Sequence, residues 1–286
     1  MSDTNGFPDD FSLLRLVPPV LRARGFRLYT RGGAAGGEGK PRLVDLWQNG
    51  GGAILGHTPP LQLRDLKNAA SRGLYAPFPH FLEARLFKAL SVVFPGRELR
   101  LYASPPSRLL DLFAGGNAAL WRPMLDTKLP LAVPEDSAPV LVPVVPGIHA
   151  WRLAKGAGGE PVALPHGLCA VAAEPGFALP PGDFLPPILL AASARGIHDL
   201  VAAAPGRAAQ AFPRIAGALR GANPAWRRRG AYLLPAHPVP TDEWPALFRR
   251  FLDAGFLLPP VPCQPAILPG EMSPGEEAKL AALLSG

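Results

Sequence analysis

Two cysteines, Cys169 and Cys263, are too few for a disulfide framework or a cysteine-held metal, and the cytoplasm, a reducing compartment, is the expected location. Charge is scarce as well. Only 18% of residues are charged, and a formal +7 from 29 Lys and Arg against 22 Asp and Glu is too dilute for a nucleic-acid surface. The Arg triplet at 227–229 reads as a solvated face rather than a phosphate reader. Lysine is rarer still, at six residues, so any lysine-dependent chemistry can be checked one residue at a time. A membrane span is missing too. The most apolar stretch, 186–204, carries Arg195, His198 and Asp199, which marks a core helix instead. The opening ten residues are acidic where a secretory signal needs positive charge before an apolar run. The six histidines lie apart, with no pair at metal-ligand spacing, and no nucleophile elbow, Walker loop or dinucleotide fingerprint occurs.

Proline and glycine are abundant, at 37 and 31 of 286 residues, which limits long uninterrupted helices. A hydrophobic share of 48% still suffices for a substantial core, in one large domain or two small ones. Residues 26–30 and 42–47 read as strands joined across a Gly-rich connector at 32–39, and helices follow over 61–70 and 81–93. From Glu98 the pattern breaks into strand-length runs at 99–103, 139–145, 151–154, 162–164 and 168–173. Helices are expected over 188–204, 208–219 and 242–254, the last opened by Thr241 and closed by Gly255. Short strands at 232–234 and 256–258 lead to a final helix that Ser273 caps with Glu276 as its capping-box partner.

Both chain ends carry motifs of one known family. Gly25-Phe26-Arg27-Leu28-Tyr29, Gly39-Lys40-Pro41-Arg42-Leu43-Val44-Asp45-Leu46-Trp47 and Leu55-Gly56-His57-Thr58-Pro59-Pro60 resemble the amino-terminal strands and Gly-His turn of class III aminotransferases. Residues 247–268 and the last helix are similar to that family's carboxy-terminal segment. The resemblance implies a fold-type-I pyridoxal-phosphate transferase: an α/β protein whose chain ends form a small α+β domain beside a central sheet. Family members have seven strands in that sheet and usually exceed 400 residues, so a shortened, reduced central sheet is expected here. The implied division is 1–75 and 226–286 for the small domain and 76–225 for the central one.

The resemblance further implies pyridoxal phosphate, a small amino or keto substrate, and a homodimer or a partner subunit, with no nucleic acid and no membrane. Such chemistry needs a Schiff-base lysine, a carboxylate for the pyridine nitrogen and a cradle of N–H groups for the phosphate. Lys155-Gly156-Ala157-Gly158-Gly159-Glu160-Pro161 is similar to the family's lysine segment, which makes Lys155 the Schiff-base candidate. Its competing reading is the exposed shoulder of a Gly-rich hairpin joining 151–154 to 162–164. Where the family has its phosphate-binding turn stands Ser104-Pro105-Pro106-Ser107, which leaves Ser104, Ser107 and Arg108 as phosphate candidates or as an ordinary helix start. The carboxylate has no match except Glu135-Asp136, in a turn-like context. An aminotransferase-like protein with weak or no catalysis is therefore expected, and a non-catalytic binding or assembly module is the alternative. The apolar group Leu74, Tyr75, Phe78 and Phe81, interrupted by prolines, points to self-association.

Overall fold

The computed structural model describes residues 12–31, 42–134, 139–144, 149–156, 158–221 and 224–285. The connector at 32–39, Lys40 and the Glu135-Asp136 pair lie outside them. The amino-terminal half contains β1 (Val20–Arg24), β2 (Arg27–Thr30), β3 (Arg42–Asp45), α1 (Pro60–Ala70), α2 (Leu82–Val93), β4 (Glu98–Tyr102), α3 (Ser107–Ala114), β5 (Ala119–Leu120) and β6 (Val140–Pro143). Next come β7 (His149–Lys155), β8 (Pro161–Gly167), β9 (Cys169–Ala173), α4 (Pro187–Ala208) and α5 (Pro213–Ala218). The chain closes with β10 (Trp226–Arg229), β11 (Tyr232–Pro235), α6 (Trp244–Asp253), β12 (Phe256–Leu257), β13 (Ala266–Ile267) and α7 (Pro274–Ser285).

The chain ends share a sheet. Its order is β1-β2-β3-β12, and β12 joins parallel to β3 by pairing Phe256 with Val44, so strands more than 200 residues apart lie side by side. Gly25, at φ 55, permits the two-residue turn between β1 and β2. Trp244, Phe248 and Phe251, on one face of α6, pack with Leu43, Leu46 and Phe256 and with Leu280 and Leu284 of α7. Arg27 grips α7: its Nε donates to Glu276 Oε1 at 3.0 Å and its Nη2 to Glu276 Oε2 at 2.7 Å. The capping box forms as read, with Ser273 N–H donating to Glu276 Oε2 and Glu276 N–H to Ser273 Oγ.

The central sheet has four described strands in the order β4-β9-β6-β5, with β9 antiparallel to both of its neighbours. Side chains alternate across it. Leu99, Leu101, Val140, Val142, Ala170 and Ala172 face α2 and α4, whereas Tyr102, Leu141, Cys169 and Val171 face α3. Leu82, Leu86, Ala89, Leu90 and Val93 recur at helical spacing and seat α2 in that core. Of the first 75 residues, Leu28, Leu43 and Val44 pack with the chain-end core, while Ile54 and Ala69 pack with the larger one.

Three local readings are corrected. The helix expected over 208–219 is split: α4 runs through Pro205 to Ala208, because Ala204 and Ala208 extend its buried face, and α5 restarts at Pro213. Thr241 does not cap α6; the turn closes instead through Glu243 and Trp244 N–H groups donating to Pro240 O. The Arg triplet lies in β10 and is solvated only at Arg227 and Arg229, since Arg228 is bound by Gly230 O, Gln210 O and the ring of Phe212.

Candidate functional site

In open α/β sheets the ligand crevice lies outside the carboxyl ends of the parallel strands. Here that edge is formed by the ends of β4, β5 and β6. Two tryptophans and a tyrosine pack there against the chain-end turn at residues 48–51. Trp121, buried, follows β5, and Tyr232 is buried with its hydroxyl donating to Pro123 O at 2.8 Å. Trp151, on β7, donates its indole N–H to the Asn49 carbonyl and side-chain oxygens at 3.2 Å. A Cβ at Gly50 would come within 2.3 Å of the Trp151 ring, so glycine is required for this approach. The space left among Gly50, Gly51, Trp121, Pro123, Pro143 and Tyr232 is about 10 Å³, room for one water at most.

The turn itself is strained. Gln48 and Asn49 both sit at φ 49, a region that costs a non-glycine residue on the order of 1 kcal/mol or more. Asp45 holds it: one carboxylate oxygen accepts the Trp47 and Gln48 N–H groups at 2.8 Å, and the other bonds His57 Nε2 at 2.8 Å. Gln48 Nε2 donates a hydrogen bond to Ile267 O at 3.0 Å. The sequence placed Asp45 and the Gly-His turn in the same ribbon but gave no sign that they bond each other.

Lys155 stands at the far end of β7, paired with Pro161 and exposed on the shoulder of a hairpin closed by Gly156 N–H to Glu160 O at 2.7 Å. The hairpin springs from the sheet edge, where Pro143 pairs with Cys169, and six strand steps separate its first residue from Lys155, about 20 Å. Ser104 meets His166 of β8, Oγ to Nδ1 at 3.2 Å, a pairing no local motif announces. Ser107 and Arg108 are exposed on the first turn of α3, where the N-cap position is Pro106 and no side chain caps the helix. Lys155, Ser104, Ser107 and Arg108 line neither the space beside residues 50–51 nor the cavities beside β1 and β5.

Arg122, directly after β5, belongs to no sequence motif. Burial pushes its pKa down, with Tyr232 and Cys263 as the nearest electrostatic neighbours acting against that. Tyr232 is itself pushed well up by burial. Among the described residues no group of three His, Cys, Asp or Glu side chains comes together. No helix of the described residues is long and apolar enough to cross a membrane.

No protein-family model matches the chain. An uncharacterized protein of Treponema pallidum (strain Nichols) is 30% identical over 292 residues, which span 90% of this chain and 91% of that one. The chain belongs to the family of that treponemal protein. Among solved structures, a transaminase with PLP bound matches at TM-score 0.58 and 14% identity, over 93% of this chain and 90% of its own. An omega-transaminase from Sphaerobacter thermophilus matches at 0.57 and 13%, over 94% and 90%. A beta-phenylalanine aminotransferase from Variovorax paradoxus matches at 0.58 and 14%, over 93% and 86%. At such identities these likenesses establish the fold alone, a reduced fold-type-I pyridoxal-phosphate-transferase-like arrangement.

The described residues at the sheet edge do not fit pyridoxal phosphate. A protonated pyridine nitrogen needs a carboxylate, whereas the end of β5 contributes the half-buried cation Arg122. The phosphate needs free N–H donors at the start of α3, where Pro105 and Pro106 have none. Lys155 is exposed at the far end of the β7–β8 hairpin, and the space beside residues 50–51 is narrowed to about 10 Å³ by Trp121 and Tyr232.

Proposed function

We propose that this protein uses the aminotransferase fold for binding or assembly, with pyridoxal-phosphate catalysis weak or absent. The observation that carries the reading is the tight packing against the chain-end turn: among Gly50, Gly51, Trp121, Pro123, Pro143 and Tyr232 about 10 Å³ remains, where a small-molecule site needs several hundred. The second reading is amino-group transfer on a small amino or keto substrate with Lys155 as the Schiff-base residue, supported by the likeness to a transaminase with PLP bound. Under it Ser104, Ser107 and Arg108 would meet the phosphate, and the hairpin would have to fold back or a partner subunit supply the missing carboxylate.

The protein acts as a homodimer in this proposal. Tyr75, Phe78 and Phe81 are 61%, 55% and 64% exposed on adjoining turns, a cluster of apolar rings that a second copy would cover. Two cysteines that form no disulfide with each other support a cytoplasmic setting. The division at 75/76 and 225/226 is part of the same reading, with the chain ends as the assembly unit.

The test is to saturate the purified protein with pyridoxal phosphate, pass it through gel filtration and read its spectrum. The binding reading expects no cofactor in the protein peak. A retained band near about 420 nm that an amino donor bleaches would restore the enzymatic reading.

A further inference from the structure

A cavity of about 390 Å³ lies between the 3-10 turn at Ser12–Leu16 and the chain-end sheet. Most of its wall is apolar, with Leu14, Val17, Leu28 and Leu257 on it. Three of its polar side chains are engaged with the protein itself. The Trp47 indole N–H donates to Gln264 Oε1 at 3.0 Å, and the Asn49 side-chain oxygen accepts the Trp151 indole N–H at 3.2 Å. Asp45, its side chain 3% exposed, takes the Trp47 and Gln48 N–H groups on one carboxylate oxygen and His57 Nε2 on the other.

His57, the fourth polar side chain on this wall, is engaged through one nitrogen only. A carboxylate accepts, so Nε2 is the nitrogen that carries the hydrogen, and Nδ1 is left as a bare acceptor. Nδ1 has no hydrogen bond among the described residues and is not shut away from solvent, the side chain being 20% exposed. The residue is fixed in this pose. Its backbone N–H donates to Gly25 O at 2.8 Å, and Gly56, at φ 91, runs so close that a Cβ there would stand 3.1 Å from the same oxygen. A few placed polar groups on an apolar wall are what orients a ligand in a small-molecule site.

We propose that this cavity binds a small, neutral, apolar molecule carrying one hydroxyl, of the phenol class, its O–H donating to His57 Nδ1 and its hydrocarbon body against Leu14, Val17, Leu28 and Leu257. A bare acceptor takes a donor, so a hydroxyl fits where an ether or a carboxylate, with no hydrogen to give, does not. Asp45 sets this choice by holding the hydrogen of the ring on Nε2. The volume lies in the range of small-molecule sites. Trp121 and Tyr232, which narrow the space beside residues 50–51, do not line this cavity, so the site holds whether or not pyridoxal phosphate is retained.

Calorimetric titration at about pH 8, where a phenol keeps its proton, tests it with para-cresol, para-methylanisole and para-toluate. The full chain is used, because residues 1–11 lead directly into the turn at 12–16. Saturable para-cresol binding is expected, at least about fivefold tighter than either analogue, as one hydrogen bond warrants. His57→Phe should weaken it by at least about the same factor. Since that variant leaves the Asp45 carboxylate without its partner and can fold poorly, NMR of the parent labelled at histidine gives a second reading, in which para-cresol should move the His57 ring nitrogen resonances. No para-cresol binding at about 10 mM would overturn the proposal, as would a smaller preference over either analogue. So would a smaller loss in folded His57→Phe, or para-cresol binding that leaves the His57 resonances in place.

Discussion

Glu276 is the point at which the two ends of the chain are fastened, and Glu276→Gln measures how much that fastening contributes. Its carboxylate takes two hydrogen bonds from Arg27, lies 3.3 Å from Arg42 and accepts the Ser273 N–H. Burial would raise its pKa, but the Arg27 and Ser273 bonds prevail and hold it at about 2, against 4.5 for a free side chain. At about 1.4 kcal/mol per unit that difference sets a ceiling of roughly 3 kcal/mol. Water on the open side of the pair screens it, and Arg27 keeps Glu271 at 3.0 Å as a second partner, so a loss of about 1.5 kcal/mol is expected. Thermal unfolding at pH 7 should therefore fall by about 3–6 °C. Because the folded pKa is depressed, the contribution is complete above about pH 4.5 and is lost as pH falls toward 2. The gap between parent and variant should accordingly shrink by more than half between pH 7 and pH 3. A deficit under about 0.5 kcal/mol at pH 7, or one that stays constant down to pH 3, would refute the argument.

Gly50→Ala should cost at least about 2 kcal/mol in urea unfolding, since the new Cβ meets the Trp151 ring at 2.3 Å on a backbone already at φ 63; an unchanged midpoint would contradict the packing of the crevice. Phe81→Glu should convert a dimer at tens of micromolar to a monomer in light scattering, and a parent already monomeric would remove the homodimer from the proposal. Cys169 is buried and its thiol is pushed well up by desolvation, so a thiol reagent should label Cys263 in the native protein and reach Cys169 only on unfolding; equal rates would place β9 wrongly.

The chain-end unit was legible because its signals are local. The strands at 26–30 and 42–47, Gly255 and the Ser273–Glu276 box each have a short-range physical cause, and all appear in the fold. What the sequence hid is long-range. The bond between Asp45 and His57, the seating of Trp151 against Gly50 and the meeting of Ser104 with His166 join segments whose pairing no periodicity records. The Gly-rich run after Lys155 was compatible with a cofactor lysine and with a hairpin shoulder; its backbone forms the hairpin, since β7 and β8 pair along their whole length. Arg122 escaped notice because a lone arginine after a two-residue strand carries no motif.

The most direct test of the central claim is to treat the protein with pyridoxal phosphate, reduce with borohydride and map the modified lysines by mass spectrometry, for the parent and for Lys155→Ala. The account predicts non-saturating labelling spread over the exposed lysines, with Lys155 behaving as one surface amine among them and the variant otherwise unchanged. One lysine labelled saturably and stoichiometrically, with the label lost in Lys155→Ala, would contradict it.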